Sequence, residues 1–260
     1  RDYLDEIRQD YVVLMEGDLV ANLPMADIFA HHLRTHADIT AVCGDDSFAT
    51  ENGTYFEKDP DGHIREVLIN MHRPRGYRSL DVFILSTELL RSLVDECQAH
   101  DQYSFRRDVL QAKQALLNLQ SYTWGGFAAQ IRSVQEYYDR SMQLLDKDIR
   151  ADLFTPERPI RAKGADKAST YIGPDGVCLN SLVAEGCRIE GTVVNSILFP
   201  GVTVERGAEV QGCILFRGTC VRRNARLAHV ITDKHVELLP GRTMMGHANY
   251  PIVIAKNSVV

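Results

Sequence analysis

The sequence predicts an α/β layer over residues 1–153, followed by a left-handed parallel β-helix of hexapeptide repeats over residues 154–260. Three observations predict it. In the first half, apolar runs of strand length alternate with amphipathic helical segments, as in an α/β layer. Two prolines in the stretch Phe154-Thr-Pro-Glu-Arg-Pro159 then break that alternation and mark the boundary. Beyond them a short pattern repeats: Leu182-Val-Ala-Glu-Gly-Cys-Arg-Ile189, Ile197-Leu-Phe-Pro-Gly-Val-Thr-Val204 and Ile214-Leu-Phe-Arg-Gly-Thr-Cys-Val221. Each opens on an aliphatic pair, has glycine four places on (Gly186, Gly201, Gly218) and closes on a β-branched residue.

A fourth line, Val230-Ile-Thr-Asp-Lys-His-Val-Glu237, keeps the aliphatic pair, and the line starts fall 15, 17 and 16 residues apart. Apolar residues step by six, from Val183 to Ile189, Leu198 to Val204 to Val210, and Leu215 to Val221 to Leu227. Three such steps per turn describe a triangular coil with one apolar side chain per side pointing inward and Gly or Asn at the corners. A single coil cannot bury its inner face, and stacked coils can. A β-sandwich would share the strand spacing but has no reason to repeat the glycine offset. Such coils wind left-handed, against the usual crossover hand. Their open ends and flat sides need cover, which favours an oligomer.

The 260 residues suggest one or two domains, and 45% hydrophobic with 25% charged residues is the composition of a soluble globular protein. A net charge of −6 argues against a general nucleic-acid binder. No apolar run reaches the roughly 18 residues of a membrane span, and no signal peptide is present, so a cytoplasmic location is expected. The six cysteines (Cys43, Cys97, Cys178, Cys187, Cys213, Cys220) show no CxxC spacing and read as thiols of a reducing compartment. The chain opens at Arg1 inside a helical pattern, which reads as a fragment with something preceding it.

In order, Leu4 and Ile7 belong to the end of a helix, and Tyr11-Val-Val-Leu-Met15 reads as a central, doubly covered strand of a parallel sheet. Glu16-Gly17-Asp18 follows at the strand end, where open α/β sheets bind ligands. The alternative for Asp18 is a turn residue capping the next helix. A helix starting near Pro24 places Met25, Ile28, Phe29, His32 and Leu33 on one face, with His31, His32 and His36 as surface or face-edge residues. Ile39–Cys43 is a strand, and Tyr55–Glu57 and His63–Ile69 flank the turn Asp59-Pro-Asp-Gly62. Ser79–Leu85 is a further strand, after which Ser86 or Thr87 caps a helix through Leu89, Leu90, Leu93, Val94 and Cys97. Ser104 opens a helix through Val109, Leu110, Leu116 and Leu117. Leu119–Trp124 is extended, and Ser133-Val-Gln-Glu136 is a capping box. The second domain begins near Ile160 to Lys163, and Tyr171–Gly176 turns into the first coil. Met244 to Ile254 forms a terminal strand and cap.

An α/β half joined by a Pro-rich link to a hexapeptide coil resembles the sugar-nucleotide pyrophosphorylases, and most nearly the glucose-1-phosphate adenylyltransferase (ADP-glucose pyrophosphorylase) family of bacterial glycogen synthesis. The resemblance rests on Tyr11-Val-Val-Leu-Met-Glu-Gly-Asp18, on Ser104-Phe-Arg-Arg-Asp-Val-Leu110, on Ile131-Arg-Ser-Val-Gln-Glu-Tyr-Tyr138 and, most specifically, on Asn180–Ile189 with Asn195-Ser-Ile-Leu198. It implies that the first half is the C-terminal part of a Rossmann-like nucleotidyltransferase domain. It also implies a reaction of ATP with glucose 1-phosphate giving ADP-glucose and diphosphate, assisted by Mg²⁺ in the complete enzyme.

The resemblance carries over residue by residue. The family's triphosphate loop would precede Arg1. Its strand-end Asp matches Asp18, as a metal or substrate ligand beside Gly17, and Ser79 is a further substrate-binding position. The family's sugar-phosphate Lys falls on Asn70, and its second metal-binding Asp, seven residues before Tyr137, falls on Gln130. Asn supplies no ammonium charge to a phosphate, and Gln is a neutral exchange for a Mg²⁺-binding carboxylate. Arg73, Arg75 and Arg78 either replace the lost charge or form a solvated basic loop. Arg206, Arg217, Arg222, Arg223 and Arg226 either offer an anionic effector a basic face or are solvated.

These departures point to an accessory, GlgD-type subunit that pairs with a catalytic chain in a hetero-oligomer and is weakly active or inactive alone, with no nucleic acid and no membrane as partner. Two other classes compete. One is an active enzyme, either a nucleotidyltransferase using other residues or a hexapeptide acyltransferase with His229 or His235 as its catalytic histidine. The other is a scaffold like the pyrophosphorylase-like subunits of the translation-initiation exchange factor.

Overall fold

In the computed structural model of the protein, residues 2–44, 53–73, 75–161 and 168–260 are described. The expectations placed on Arg1 and on a second-domain start at residues 162–163 lie outside them. The chain divides into two compact units, Arg1–Gln130 and Ile131–Val260. The sequence puts the boundary at 153/154; the compact units divide earlier because the following helix carries an apolar face that packs on the coil.

In the first unit a short helix α1 (Asp2–Glu6) precedes β1 (Tyr11–Met15), β2 (Leu19–Ala21), α2 (Met25–Arg34), β3 (Ile39–Gly44), β4 (Thr54–Lys58), β5 (Ile64–Ile69), β6 (Tyr77–Ser86) and α3 (Thr87–Ala99). A π-helix (Phe105–Gln111), β7 (Leu119–Trp124) and β8 (Ala128–Gln130) complete it. The main sheet runs β5-β4-β6-β3-β7, with β1 also on β6. Only β3 and β7 are parallel; the other pairs are antiparallel, so the sheet is mixed.

The strands buried on both faces are β3 and β6, whose residues alternate between two apolar clusters. Ala41, Cys43, Phe83 and Leu85 meet α3 and the π-helix, and Val42, Val82 and Ile84 meet α2. β1 was expected in that central position. It pairs instead with β6 alone, antiparallel, and leaves Tyr11, Val13 and Met15 exposed. A continuous apolar run requires burial on one face only, and the neighbours decide the other. His32 is also corrected from face-edge to core: it is 2% exposed, and its Nδ1 lies 2.8 Å from Thr40 Oγ1.

In the second unit, α4 (Val134–Gln143) and α5 (Lys147–Leu153) precede the coil. The coil has three parallel faces of five short strands each. Like meets like along them, Leu198 on Leu215 and Val204 on Val221, and the six-step residues form one buried core. The segment expected as a cap is coil as well, since Thr243–Met245 and Ile252–Ile254 each add a strand to a face. Tyr138 of α4 buries itself against Ile214 and Ile231, with Tyr137 and Met142 alongside. Ser133 caps α4, its Oγ accepting from Glu136 N at 3.1 Å, while Glu136 reaches back to Arg132 N at 2.7 Å.

The corners are left-handed, and the side chains there follow from that. Asn180 and Asn195 have φ of 41° and 46°, and the Asn180 amide donates to Asn195 Oδ1 at 2.7 Å. Asn is among the few side chains that take this region readily. Gly218, at φ 71°, lies under His235: a Cβ there would stand 2.5 Å from His235 Nδ1. All six cysteines are free thiols, with Cys43, Cys187 and Cys213 buried. Among the described residues no helix is long and apolar enough to cross a membrane.

Candidate functional site

The carboxyl end of β1 meets a break in β6. Register between β3 and β6 shifts at Val42/Cys43, where Val42 faces Val82 and Cys43 faces Ser79, so that Leu80 and Asp81 are extra residues of a bulge. The bulge holds Asp81 at φ 57°, a left-handed conformation that Asp takes more readily than most side chains, and turns its carboxylate to the side where β1 ends. Glu16 N donates to Asp81 O at 3.3 Å.

Asp81, 4% exposed, is the hub of a buried polar cluster. Arg106 lies 3.1 Å from its Oδ2 and also pairs with Glu16. Gln130 Nε2 donates to the same Oδ2 at 2.9 Å, and Ser79 Oγ donates to Oδ1 at 3.3 Å. Arg78, 7% exposed, donates to Gln130 Oε1. This fixes the amide of Gln130, which accepts from a cation and donates to an anion. Arg106 is delivered by the first turn of the π-helix, whose start is fixed by Ser104 Oγ accepting from Arg107 N at 3.2 Å. The sequence leads one to expect an ordinary helix there; the wider turn is a form frequent at functional sites.

The sequence-derived candidates divide accordingly. Ser79 and Gln130 share Asp81 as a partner. Gly17 and Asp18 form the turn after Glu16, and Leu19 pairs with Gln130 across β2 and β8, which places Asp18 beside the cluster. A Cβ on Gly17 would meet nothing within 4 Å, so that side of the turn is open. Asn70 is exposed at the end of β5 with φ 53°, its N–H on Gly53 O at 2.9 Å, and a Cβ on Gly53 would stand 3.6 Å from Arg78 Nε of the cluster. Its residue type has a local reason in that left-handed backbone.

The basic loop is corrected in part: Arg75 pairs with Glu57 at 2.7 Å and Glu66 at 3.2 Å, whereas Arg78 is buried in the cluster. Sequence reasoning missed Glu16, Asp81 and Arg106 as members. The available signal was an acid inside the apolar run Leu80-Asp-Val-Phe-Ile-Leu85.

The histidines of the coil are corner residues. His229 (φ 51°) and His235 (φ 58°) both have left-handed backbone. Tyr138 donates its hydroxyl to Gly212 O at 2.7 Å, so His229 Nδ1, also 2.7 Å away, donates to the phenol oxygen. Burial pushes the Tyr138 hydroxyl up to about 12, with Cys213 and Asp139 adding to the shift. Several arginines of the outer face are matched by acids: Arg222 by Glu205 at 2.8 Å and Glu237 at 2.7 Å, Arg206 by Asp175 at 3.6 Å and Arg226 by Glu209 at 3.6 Å. A basic face for an anionic effector is therefore largely neutralised.

Residues 165–249 match the family model for the GlmU-like C-terminal hexapeptide. The glycogen biosynthesis protein GlgD of Geobacillus stearothermophilus is 32% identical over 258 residues, which cover 99% of this chain and 66% of that protein. GlgD of Bacillus subtilis (strain 168) is 28% identical over 260 residues, with the same coverages. Over nearly its whole length the chain is similar to the GlgD proteins of glycogen biosynthesis. It is also 26% identical over 242 residues to the glucose-1-phosphate adenylyltransferase of Acetivibrio thermocellus, covering 91% of this chain and 57% of that protein. It thus spans just under two thirds of the length of the GlgD proteins it matches.

The magnesium ion that the family resemblance brings to mind does not fit the Asp81 cluster. Both ends of the Gln130 amide are engaged, and the Asp81 carboxylate is tied to Arg106. A cation placed there would face two guanidinium groups. Among the described residues no group of three His, Cys, Asp or Glu is arranged to hold a metal.

Proposed function

We propose that the protein is an accessory, regulatory subunit of glucose-1-phosphate adenylyltransferase in bacterial glycogen biosynthesis. It would pair with a catalytic chain in a cytoplasmic heterotetramer that converts ATP and glucose 1-phosphate to ADP-glucose and diphosphate. The observation that carries this reading is Gln130. The family resemblance asks for a metal-binding carboxylate at that position, and the residue there is neutral and bound into a closed network with Arg78 and Asp81. Asn70 adds to it, since the sugar-phosphate cation is missing and its replacement suits a left-handed strand end. Mg²⁺ and both substrates then belong to the catalytic partner, and this chain changes that partner's rate or affinity.

The test is ADP-glucose formation with Mg²⁺, ATP and glucose 1-phosphate, by this subunit alone, by the catalytic chain alone and by the mixture. The expected result is no turnover alone and an altered kcat or KM in the mixture. Robust turnover by this subunit alone would overturn the reading in favour of an active nucleotidyltransferase. A mixture indistinguishable from the catalytic chain would leave a scaffold.

A further inference from the structure

The Asp81 cluster has the composition of an anion site already filled. Arg106, the Gln130 amide and the Ser79 hydroxyl converge on one carboxylate, and that carboxylate comes from the chain itself. Guanidinium, amide and hydroxyl donors on a shared centre are the groups that hold phosphate oxygens. The charges of Arg78 and Arg106 balance those of Glu16 and Asp81. Removing the Asp81 carboxylate takes one negative charge from this group and leaves Arg106, the Gln130 amide and the Ser79 hydroxyl facing the space the side chain occupied.

The backbone adds a second, independent observation. Asp81 stands at φ 57° within a bulge, a conformation glycine takes without a steric penalty. The backbone conformation therefore does not require a side chain at this position. We propose that Asp81 is a built-in anion occupying a phosphate-class binding site of this chain, and that the site opens when its side chain is removed. The site lies beside the Gly17-Asp18 turn, whose outer side is open. The inference rests on reading the cluster as a former substrate site of an accessory subunit; binding is measured without turnover, so the two readings can fail separately.

The experiment titrates inorganic phosphate into the full chain and its Asp81→Gly and Asp81→Asn variants, by calorimetry and by the phosphate dependence of Tm. Asp81→Gly is expected to bind phosphate at least about tenfold more tightly than the unaltered protein. Acetate, which matches the lost side chain atom for atom, is expected to compete. Asp81→Asn keeps the space filled and is expected to gain no phosphate binding. A folded Asp81→Gly variant that binds phosphate no better than the unaltered protein overturns the proposal, as does equal binding by all three. If Asp81→Gly does not fold, Asp81→Ser opens the same space, and the absence of any phosphate-dependent rise in its Tm is equally fatal.

Discussion

Inside the coil buried aliphatic side chains stack along each face, Leu198 on Leu215 and Val204 on Val221. The cluster around Asp81 instead gathers six side chains of five types, Glu16, Arg78, Ser79, Asp81, Arg106 and Gln130, from four stretches of chain. The coil core is held by apolar burial, which has no direction and repeats with the strand. The cluster is held by directional bonds, each using a donor or acceptor that another member needs. Damage to the coil should therefore follow the volume removed, and damage to the cluster should spread to groups left without partners.

The largest expected effect is in the coil. Leu215→Ala, at a position with 0% exposure, should cost about 2–5 kcal/mol in a urea or thermal melt. Adding Leu198→Ala should give a non-additive total, because the two side chains share one cavity. In the cluster, Gln130→Ala should cost about 1–3 kcal/mol, since Arg78 and Asp81 each lose a buried partner. Equal costs for Gln130→Ala alone and in an Arg78→Ala background would show that the two residues are uncoupled and erase the contrast with the coil.

A pH effect separates the units. Burial lowers the pKa of His32 below its ordinary 6.5, with His31 adding to the shift and Asp38 opposing it. The folded state then resists the proton that the unfolded chain accepts. Its contribution to stability is complete above pH 6.5 and is lost as pH falls through the depressed folded value. Melts of the first unit between pH 7.5 and 5 should show this decline, and His32→Leu should reduce it. The smallest effect is expected on the outer face of the coil. Arg226→Ala, which breaks an exposed 3.6 Å pair with Glu209, should change stability by no more than about 0.5 kcal/mol.

Much of the fold was legible because it is periodic. The six-residue step named Val204, Val210, Val221 and Leu227 as core, and all four are buried. Capping residues were legible for the same local reason: Ser86 and Ser133 accept from backbone N–H groups three residues on. β1 was misplaced because Tyr11–Met15 carries the apolar run of a central strand, and nothing in five residues states how many neighbours it has. The placement of Ser79 and Gln130 near one another came from family resemblance. Asp81, the partner they share, and Arg106, which pairs with Asp81, lie in a bulge and a π-helix, and neither departure has a strong sequence signature.

The sequence by itself determined a coil, its inner face, its corners and its helix caps, because each depends on residues only a few places apart. Tertiary structure decided which strand of the α/β unit is central, that Arg78 is buried, and that an aspartate fills the space beside Gln130. Those outcomes depend on side chains brought together across a sheet, where burial leaves each charge no choice but to find its counter-charge.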